Sequence, residues 1–320
     1  GFGLAGALLA WELRKLEVHV TIEDLGEAET SSRVAAGMIT PVTGRRLKPT
    51  WRCAELTDAA HSVYAEIEAM HHIEIWKKWT LRRVFREEIM STWFHERLQR
   101  GEYEPLIIKE ILPGTHDGVE YPFGGFEHDG VATVDIPLML DSLQHTFDNA
   151  VVKSKADVTV HCTGYIALAD ERWSWLPIEP SKGEILDVTI PGLFLDHVLT
   201  NGTWLLPVGG EQYRIGATHD WDDHDPTPTE AGRRLLLDVA QQLVQRTIIV
   251  DGHRAAIRPS TKFKRPLAGF HPLDPTHAIF NGLGTKGALQ APWAAKQLAR
   301  HIVLNEPLDQ EIDIQKWWKP

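Results

Sequence analysis

The chain begins with a glycine-rich turn that runs directly into a predicted helix. Residues 1–7 read Gly-Phe-Gly-Leu-Ala-Gly-Ala, a G-x-G-x-x-G pattern, and the helix is predicted from Leu8 to Leu16. A predicted strand over 18–24 ends in Asp24, near the spacing of about 20 residues at which dinucleotide-binding proteins place a ribose-binding acid. In dinucleotide-binding proteins of this kind, the N-terminus of the helix faces the pyrophosphate. This order predicts an α/β fold with a Rossmann-type dinucleotide site, the alternative being a glycine-rich turn in another α/β protein.

Each glycine of this pattern has its own expected role. Gly1 makes the tight turn, Gly3 lets a pyrophosphate approach the backbone, and Gly6 lets the helix pack close to the sheet. Such a turn should follow a buried central strand, yet nothing precedes Gly1 and the sequence has no initiator Met. We therefore expect that the natural protein has at least one N-terminal strand that this sequence lacks, and an intact mass would test this.

Composition limits the classes of function. The 320 residues are enough for two domains or one interleaved unit, and the 43% hydrophobic and 24% charged residues are ordinary for a globular enzyme. A net charge of −11 argues against a non-specific nucleic-acid binder. The basic pairs at 77–78 and 82–83 are expected on solvated helix faces. No apolar run of about 18 residues is present, so no membrane span is predicted.

Cysteine usage points to a reducing compartment. Cys53 and Cys162 are the two cysteines of the chain, and neither has the spacing of a metal site. We expect no disulfide framework, no metal centre and a cytoplasmic location.

The first half of the chain is expected to be largely helical after the opening unit. Apolar residues at helical spacing predict helices over 54–70 and 76–100, and Pro and Gly make 101–130 rich in turns. Asp135 is a candidate N-cap for a helix with Pro137 in its first turn. Residues 157–164 predict a buried strand that ends in glycine.

The second half predicts an antiparallel sheet and a second glycine turn. Strands are expected over 183–189, 203–208 and 213–218, with a Gly-Gly hairpin turn at 209–210, followed by a helix over 227–245 that Thr227 or Thr229 caps. A short strand over 278–281 leads into Gly282-Leu-Gly-Thr-Lys-Gly287 and a last helix. One glycine turn suits a pyrophosphate, and the other can direct its helix N-terminus at a second part of an extended cofactor such as FAD.

Taken in order, these segments resemble the D-amino acid oxidase/glycine oxidase family of FAD-dependent amine oxidoreductases. No single segment is decisive, but seven of them occur in the order of the family. The segments are Gly1–Gly6 with Asp24, Ser31–Met38, Cys162–Gly164, Lys182–Glu184, Arg214–Thr218, Ala256–Thr261 and Gly282–Gly287.

The resemblance implies a cofactor and a division of the fold. It implies an FAD-binding Rossmann-type domain (1–50, 131–170 and 250–320) interleaved with a substrate domain of antiparallel sheet and helices (51–130 and 171–249). Asp24 would hold the adenosine ribose, and Lys286 would face the flavin pyrimidine, with an exposed lysine as the alternative. The expected FAD-binding residues are Gly1, Gly3, Gly6, Asp24, Ser31, Ser32, Arg33, Ala36, Gly37, Met38, Gly164, Gly282, Leu283, Gly284, Thr285, Lys286 and Gly287.

The resemblance also implies a substrate site. Arg258 would clamp a substrate carboxylate with its planar fork, although an interdomain ion pair is the alternative and Arg254 is a weaker competitor. Trp204 and His219 lie where the family places pocket-lining side chains, and a structural role is the alternative for His219. The expected reaction passes the Cα hydride of a neutral amine to the flavin, the imine then hydrolyses, and the rate should rise with pH.

Other functions stay open at this point. The substrate would be a small amine or amino acid such as glycine, sarcosine or a D-amino acid, with molecular oxygen as the acceptor. Alternatives are a dehydrogenase that reduces a quinone or a protein, a flavin-dependent tRNA-modification enzyme, which the net charge disfavours, and a non-catalytic flavin module. The segment over 147–156 is shorter than in the family, and Val151 and Val152 are the expected adenine contacts. The oligomeric state is unknown.

Overall fold

The computed structural model describes residues 1–26, 29–147 and 156–319. Val151 and Val152, the expected adenine contacts, lie outside the described residues. The helices are α1 (Leu4–Lys15), α2 (Ser31–Val34), α3 (Cys53–His71), α4 (Glu88–Gln99), α5 (Ile136–Phe147), α6 (Glu230–Leu243) and α7 (Gly287–Leu304). The strands are β1 (Met38–Ile39), β2 (Val42–Thr43), β3 (Lys48–Pro49), β4 (Trp76–Val84), β5 (Ile108–Ile111), β6 (Gly114–His116), β7 (Val119–Tyr121), β8 (Gly125–Val134), β9 (Thr159–His161), β10 (Ile178–Thr189), β11 (Val198–Thr200), β12 (Trp204–Gly209), β13 (Gln212–Gly216), β14 (Ile249–Thr261), β15 (Leu267–His271) and β16 (Asp274–Asn281).

A large mixed sheet forms one layer of the molecule. Its strand order is β1-β8-β4-β11-β12-β13-β10-β14, and β5 pairs with β8. The β4–β11 pair is parallel, whereas β10 and β14 run antiparallel from Ile178 opposite Thr261 to Thr189 opposite Ile249. The antiparallel sheet predicted for 183–218 is therefore confirmed, and the structure extends it on both sides.

A second layer combines helices with a small sheet of order β15-β16-β9. Residues from α1, α3, α5, α7 and β16 share one core, in which Leu8, Leu140 and Leu298 are almost fully buried. Burial of each such leucine stabilises the fold by about 1.5–3 kcal/mol. Together the two layers give the expected combination of a Rossmann-type unit and an antiparallel sheet with helices.

A proline inside α7 shows how this core satisfies its backbone. Pro292 has no N–H, so it cannot donate to the carbonyl of Ala288 one helical turn earlier. The hydroxyl of Tyr64, from α3, donates to that carbonyl instead at 2.8 Å. The buried tyrosine therefore fixes α3 against α7 by a polar contact as well as by packing.

The predicted helix over 76–100 is only half correct. Its first part is the strand β4, which pairs with β8 on one side and with β11 on the other, and its second part is α4. Leu81 and Arg83 of β4 are buried, which is the alternation of a strand. The apolar residues of this segment also fit helical spacing, but hydrogen bonding along both edges stabilises the strand. The basic pairs at 77–78 and 82–83 thus lie on a strand and not on a helix.

Two predicted strands of the Rossmann unit differ from expectation. Residues 18–24 form no strand, and none of the described strands pairs with them in a hydrogen-bonded ladder. The strand predicted for 157–164 is reduced to β9, which is not buried and pairs on one edge with β16. The order of the parts is nevertheless kept, since Asp24 accepts a hydrogen bond from the backbone N–H of Phe2.

The predicted helix caps are confirmed. Asp135 precedes α5 and its carboxylate accepts from the N–H of Leu138 at 3.0 Å. The hydroxyl of Thr229 accepts from the N–H of Gly232 at the start of α6, also at 3.0 Å. Among the described residues, no helix is long and apolar enough to cross a membrane.

Candidate functional site

A cavity of about 1820 Å³ lies where the two layers meet. It exceeds the 300–1000 Å³ that pockets for small ligands usually have. Its walls are both glycine turns, the loop after Thr30 and one face of the large sheet. The cavity therefore has room for an extended cofactor and for a substrate beside it.

The first glycine turn is held against the end of β9. A Cβ on Gly1 would lie 2.6 Å from the carbonyl oxygen of Cys162, and a Cβ on Gly6 would lie 2.0 Å from the carbonyl oxygen of Gly1. Both approaches are too close for any side chain. The Asp24 carboxylate accepts from the N–H of Phe2 at 2.6 Å and from the N–H of Gly26 at 3.0 Å. The turn, the helix and the acid are thus one assembly at one end of the cavity.

The loop after Thr30 continues this wall. The Ser32 hydroxyl accepts from the N–H of Leu4, the first residue of α1, at 3.0 Å. Gly37 has φ +64, and a Cβ there would lie 1.9 Å from the carbonyl oxygen of Val134. The side chain of Arg33 forms an ion pair with Asp141 at 2.7 Å. The loop is therefore fixed to α1 and to β8, with small residues toward the cavity.

The second glycine turn closes the same wall from the other end of the chain. The Asn281 side chain donates to the carbonyl of Gly164 at 2.8 Å. A Cβ on Gly287 would lie 2.9 Å from Leu4, so the start of α7 packs directly on the start of α1. The two turns, far apart in sequence, therefore stand side by side.

Both helix N-termini at this wall can face an anion. Neither α1 nor α7 has a side-chain hydrogen bond at its N-cap residue, which is Gly3 for α1 and Lys286 for α7. At α1 the N–H of Leu4 already donates to Ser32, but the helix dipole and the other N–H groups of a first turn favour negative charge at such ends. With backbone that no Cβ could replace and an acid beside the turn, the residues fit FAD.

Lys286 is half-buried and does not extend into solvent. Its ammonium donates to the hydroxyl of Thr50 at 2.8 Å and to that of Thr43 at 3.3 Å. Burial lowers the pKa of Lys286 to about 8. The exposed lysine considered as the alternative is therefore wrong, and the amine is held at the cavity wall.

Arg258 reaches the cavity from β14, at the opposite wall. Its guanidinium donates to the carbonyls of Lys182 and Thr218 at 3.2–3.3 Å, and none of the described residues forms an ion pair with it. Burial lowers the pKa of Arg258 to about 10, so the group stays charged at neutral pH. A buried cation without a carboxylate partner favours an anionic ligand. The alternative, an interdomain ion pair, has no partner here.

Gly183 makes the position of Arg258 possible. The two residues lie on the paired strands β10 and β14, and a Cβ on Gly183 would lie 1.7–2.4 Å from three atoms of the guanidinium. The guanidinium therefore lies flat across the glycine backbone. Gly183 lies in Lys182–Glu184, one of the segments shared with the family, but no role was predicted for it.

Arg254, the competitor, serves a different purpose. Its guanidinium binds both oxygens of Asp187 at 3.0 Å, and it is not part of the cavity wall. Asp187 also accepts from Arg214. Arg254 is thus neutralised within the sheet.

His219 and Trp204 complete the wall around Arg258. Nδ1 of His219 lies 3.3 Å from the Arg258 guanidinium, and partial burial together with the charge of Arg258 lowers the pKa of His219. The neutral ring can therefore accept a hydrogen bond from the arginine. The Trp204 ring covers Gly216 so closely that a Cβ there would lie 2.4 Å from it.

Most of the expected site residues line this one cavity. Gly6, Arg33 and Gly282 do not line it; Gly6 and Gly282 act through close backbone packing. The residues that do line it are Gly1, Gly3, Asp24, Ser31, Ser32, Ala36, Gly37, Met38, Gly164, Trp204, His219, Arg258, Leu283, Gly284, Thr285, Lys286 and Gly287.

Several wall residues were missed from the sequence. Thr43 and Thr50 hold Lys286, and Arg83 lies at the far end of the cavity. Arg83 was expected on a solvated helix face, yet it is only 8% exposed. Val84 beside it is buried as well, so the local pattern does not alternate cleanly, and the burial of Arg83 follows from the pairing of β4 with β8 and β11. Among the described residues, no group of acids, histidines and cysteines could hold a metal ion.

Comparison with known proteins identifies a matching family and a curated relative. The model of the family described as DAO, FAD dependent oxidoreductase, matches residues 1–159 and 143–301. The tRNA 5-methylaminomethyl-2-thiouridine biosynthesis bifunctional protein of Marinobacter nauticus is 24% identical over 348 residues, which cover 94% of this chain and 54% of that protein. The chain thus spans about half the length of the curated bifunctional relatives it matches.

Two solved structures share the fold along nearly their whole length. Glycine oxidase from Geobacillus kaustophilus has a TM-score of 0.79 at 20% identity, covering 99% of this chain and 96% of that chain. Iminodiacetate oxidase from Chelativorans sp. BNC1 has a TM-score of 0.78 at 19% identity, covering 97% and 95%.

Proposed function

Because the chain belongs to the DAO family of FAD-dependent oxidoreductases, we propose that it oxidises the carbon–nitrogen bond of an amine that carries a carboxylate. The observation that supports this substrate class is Arg258, a half-buried cation with no ion-pair partner among the described residues and a place in the wall of the main cavity. Glycine, sarcosine and D-amino acids have the required chemistry. Molecular oxygen or another acceptor would reoxidise the cofactor.

The residues that would hold FAD are the expected ones at the cavity wall. Asp24 would bind the ribose, the N-terminus of α1 would face the pyrophosphate, and the turn before α7 would face the flavin. FAD supplies the two-electron acceptor of the reaction when bound.

The remaining residues would position the substrate. The planar fork of Arg258 matches a carboxylate with two parallel hydrogen bonds, which fixes the carbon next to it. His219 would orient the fork by accepting one of its hydrogens, and Trp204 would form an apolar wall. No side chain is assigned as a general base, so the substrate amine would have to react in its neutral form.

An anaerobic absorption experiment tests the proposal. The holoprotein would be mixed with glycine, sarcosine and D-amino acids, first as a pool and then singly. We expect the yellow flavin to bleach with at least one of them. A yellow protein that none of these amines bleaches would contradict the proposed substrate class and favour a non-catalytic module or a larger substrate. Peroxide formation in air would then separate an oxidase from a dehydrogenase linked to a quinone or a protein.

A second candidate is an FAD-dependent step in tRNA modification. It is favoured by the relative from Marinobacter nauticus, whose similarity covers 94% of this chain. The net charge of −11 counts against it, because tRNA binding needs basic surface. Bleaching by unmodified small amines at low concentration would favour the first candidate, and bleaching only by tRNA that carries an amine on its uridine would favour the second.

The division into two interleaved domains and the cytoplasmic location are also proposals. Limited proteolysis would test the first, since cleavage should fall in the connections near 50, 170 and 246 if the units are separable. The two free cysteines support a reducing compartment.

Substitution of Gly183 by alanine should weaken substrate binding without unfolding the protein. The added methyl would occupy the space of the Arg258 guanidinium, a flexible group that can move aside. We expect KM for the amine substrate to rise about tenfold or more, since a hydrogen bond to a charged group contributes about 1.5–3 kcal/mol. Steady-state kinetics would measure this. Gly209→Ala is the control, because a Cβ there meets no atom within 4 Å. Equal KM values in the two variants would contradict the role of Gly183.

Lys286 should make stability depend on pH in the flavin-free protein. Its folded pKa of about 8 lies below the ordinary value of 10.5, so the cost of burying the charge is fully present below pH 8. Between pH 8 and 10.5 the unfolded state binds more protons, and the free energy of unfolding should rise by roughly 3 kcal/mol. Urea unfolding at several pH values would show this rise in the wild type and in Lys48→Met, an exposed control, but not in Lys286→Met. If the free energy of unfolding changes with pH in the same way in all three proteins, the predicted effect of Lys286 is contradicted.

A further inference from the structure

A second, smaller cavity adjoins the outer end of the main one. It has a volume of about 330 Å³ and shares Gly44, Arg45, Arg83 and Gly202 with the main cavity. Arg86 and two apolar side chains of α6, Leu235 and Val239, complete its wall. Three arginines thus surround a space too small for a cofactor but large enough for one anionic group.

Arg83 is the buried member of this group. It is 8% exposed, its Nε has no hydrogen-bond partner, and its Nη2 donates to the carbonyl of Gly44 at 3.2 Å. None of the described residues forms an ion pair with it. A guanidinium has five N–H donors, so most of them have no described acceptor. Burial and the charge of Arg86 lower the pKa of Arg83 to about 10, which leaves it charged at neutral pH.

The neighbouring arginines differ in their partners. Arg45 binds both oxygens of Glu87 and is thereby neutralised. Arg86 is exposed, forms no ion pair with a described residue, and lies over Gly202, where a Cβ would be 3.2 Å from its Nη2. Glu87, which follows Arg86 in the sequence, is paired with Arg45. Arg83 and Arg86 therefore place two positive charges, neither with an ion-pair partner among the described residues, at one cavity.

The sheet connects this cavity with Arg258. Arg83 lies opposite Thr200, Thr200 opposite Trp204, and Trp204 opposite Gly216, so these positions share one face of the sheet. From β4 to β10, where the Arg258 guanidinium lies on Gly183, there are four strand spacings of about 4.8 Å each, or roughly 19 Å along the sheet. Trp204 lies between the two cationic ends.

We propose that Arg83 and Arg86 bind a second anionic group, a carboxylate or a phosphate, at the distal end of the amine substrate. This inference rests on the proposed function, because it assigns the carboxylate next to the reacting carbon to Arg258. The substrate is then an extended molecule with an anion at each end. Trp204 contacts its middle.

Matched substrates test this assignment in the holoprotein. N-(ω-carboxyalkyl)glycines of increasing chain length would be compared with the corresponding neutral amides by steady-state kinetics. At the best chain length, we expect the KM of the acid to be about tenfold or more below that of the amide. One hydrogen bond to a charged group is sufficient for a difference of this size. Arg86→Gln and Arg83→Gln should reduce this ratio toward one. Arg100→Gln, which removes an exposed arginine outside both cavities, should keep it.

The outcomes separate this inference from the proposed function. A ratio near one in the wild type, or the same ratio in Arg86→Gln as in Arg100→Gln, would overturn the distal site while sarcosine oxidation still supports the proposed function. If no amine is oxidised, the preference for the acid over the amide is instead measured as the ratio of their dissociation constants by calorimetry. Inorganic phosphate tests whether the site binds a free anion and not the end of the substrate. Saturable phosphate binding that Arg86→Gln abolishes, together with an amide-to-acid KM ratio near one, would overturn the substrate assignment.

Discussion

Replacement of Arg258 by methionine should raise KM for the amine substrate by tenfold to about 150-fold, since hydrogen bonds to a charged group contribute about 1.5–3 kcal/mol each. The same change should stabilise the flavin-free protein. The residue is half-buried without an ion-pair partner among the described residues, and removal of a desolvated charge without a counter-charge lowers the desolvation cost of folding. Opposite signs for binding and for stability are the signature of a residue held for its ligand.

Arg254→Met is the matched control for this prediction. The residue lies four positions earlier on the same strand but is paired with Asp187, whose side chain is one-third exposed. A partly exposed pair of this kind contributes at most about 1 kcal/mol, so KM should change little and stability should fall slightly. Steady-state kinetics and thermal unfolding measure both. An unchanged KM in Arg258→Met would exclude the carboxylate clamp.

Replacement of Gly6 by alanine should abolish stable FAD binding. A Cβ at this position would lie 2.0 Å from the carbonyl oxygen of Gly1, which is backbone and cannot rotate away. The turn must open or α1 must shift, and either change moves the helix N-terminus from the expected pyrophosphate position. Overpacking of this kind costs about 1–3 kcal/mol, so the protein should still fold. We expect a nearly colourless purified protein.

The ratio of visible to ultraviolet absorbance after purification, with circular dichroism as the test of folding, measures this effect. Gly209→Ala lies at the end of a strand with open space around it and should stay yellow. A folded Gly6→Ala protein that keeps its flavin would show that the opening glycines are not the pyrophosphate site.

The sequence predicted elements with strong local signals and missed those that depend on distant partners. Asp135 and Thr229 were recognised because a cap is decided within four residues. Strand β4 was taken for a helix because its stability comes from β8 and β11, which are about 50 and 120 residues away. The strand predicted over 18–24 was wrong for a related reason. Its residues have strand character, but no described strand pairs with them.

The candidate site shows the same division. The glycine turns and Arg258 could be predicted as cavity residues because their residue types carry the chemistry and because the family order supports them, and they line the main cavity. The contact between Arg258 and Gly183 could not be found, since it depends on the register of β10 against β14. The unpartnered state of Arg83 also needs tertiary structure, because its burial and its lack of an ion pair with any described residue cannot be inferred from the neighbouring residues in the sequence.

The packing of Leu4 against Gly287 has a consequence for how the protein acquires its cofactor during synthesis. The two halves of the cofactor wall lie about 280 residues apart, and a ribosome that adds roughly 5–20 residues per second needs about 14–56 s to reach the second after the first. Until α7 emerges, the N-terminal turn has neither its packing partner nor its second binding surface. If the two turns hold the cofactor as proposed, its capture should be a late event in the synthesis of the chain, and a truncated product of translation should be released without colour.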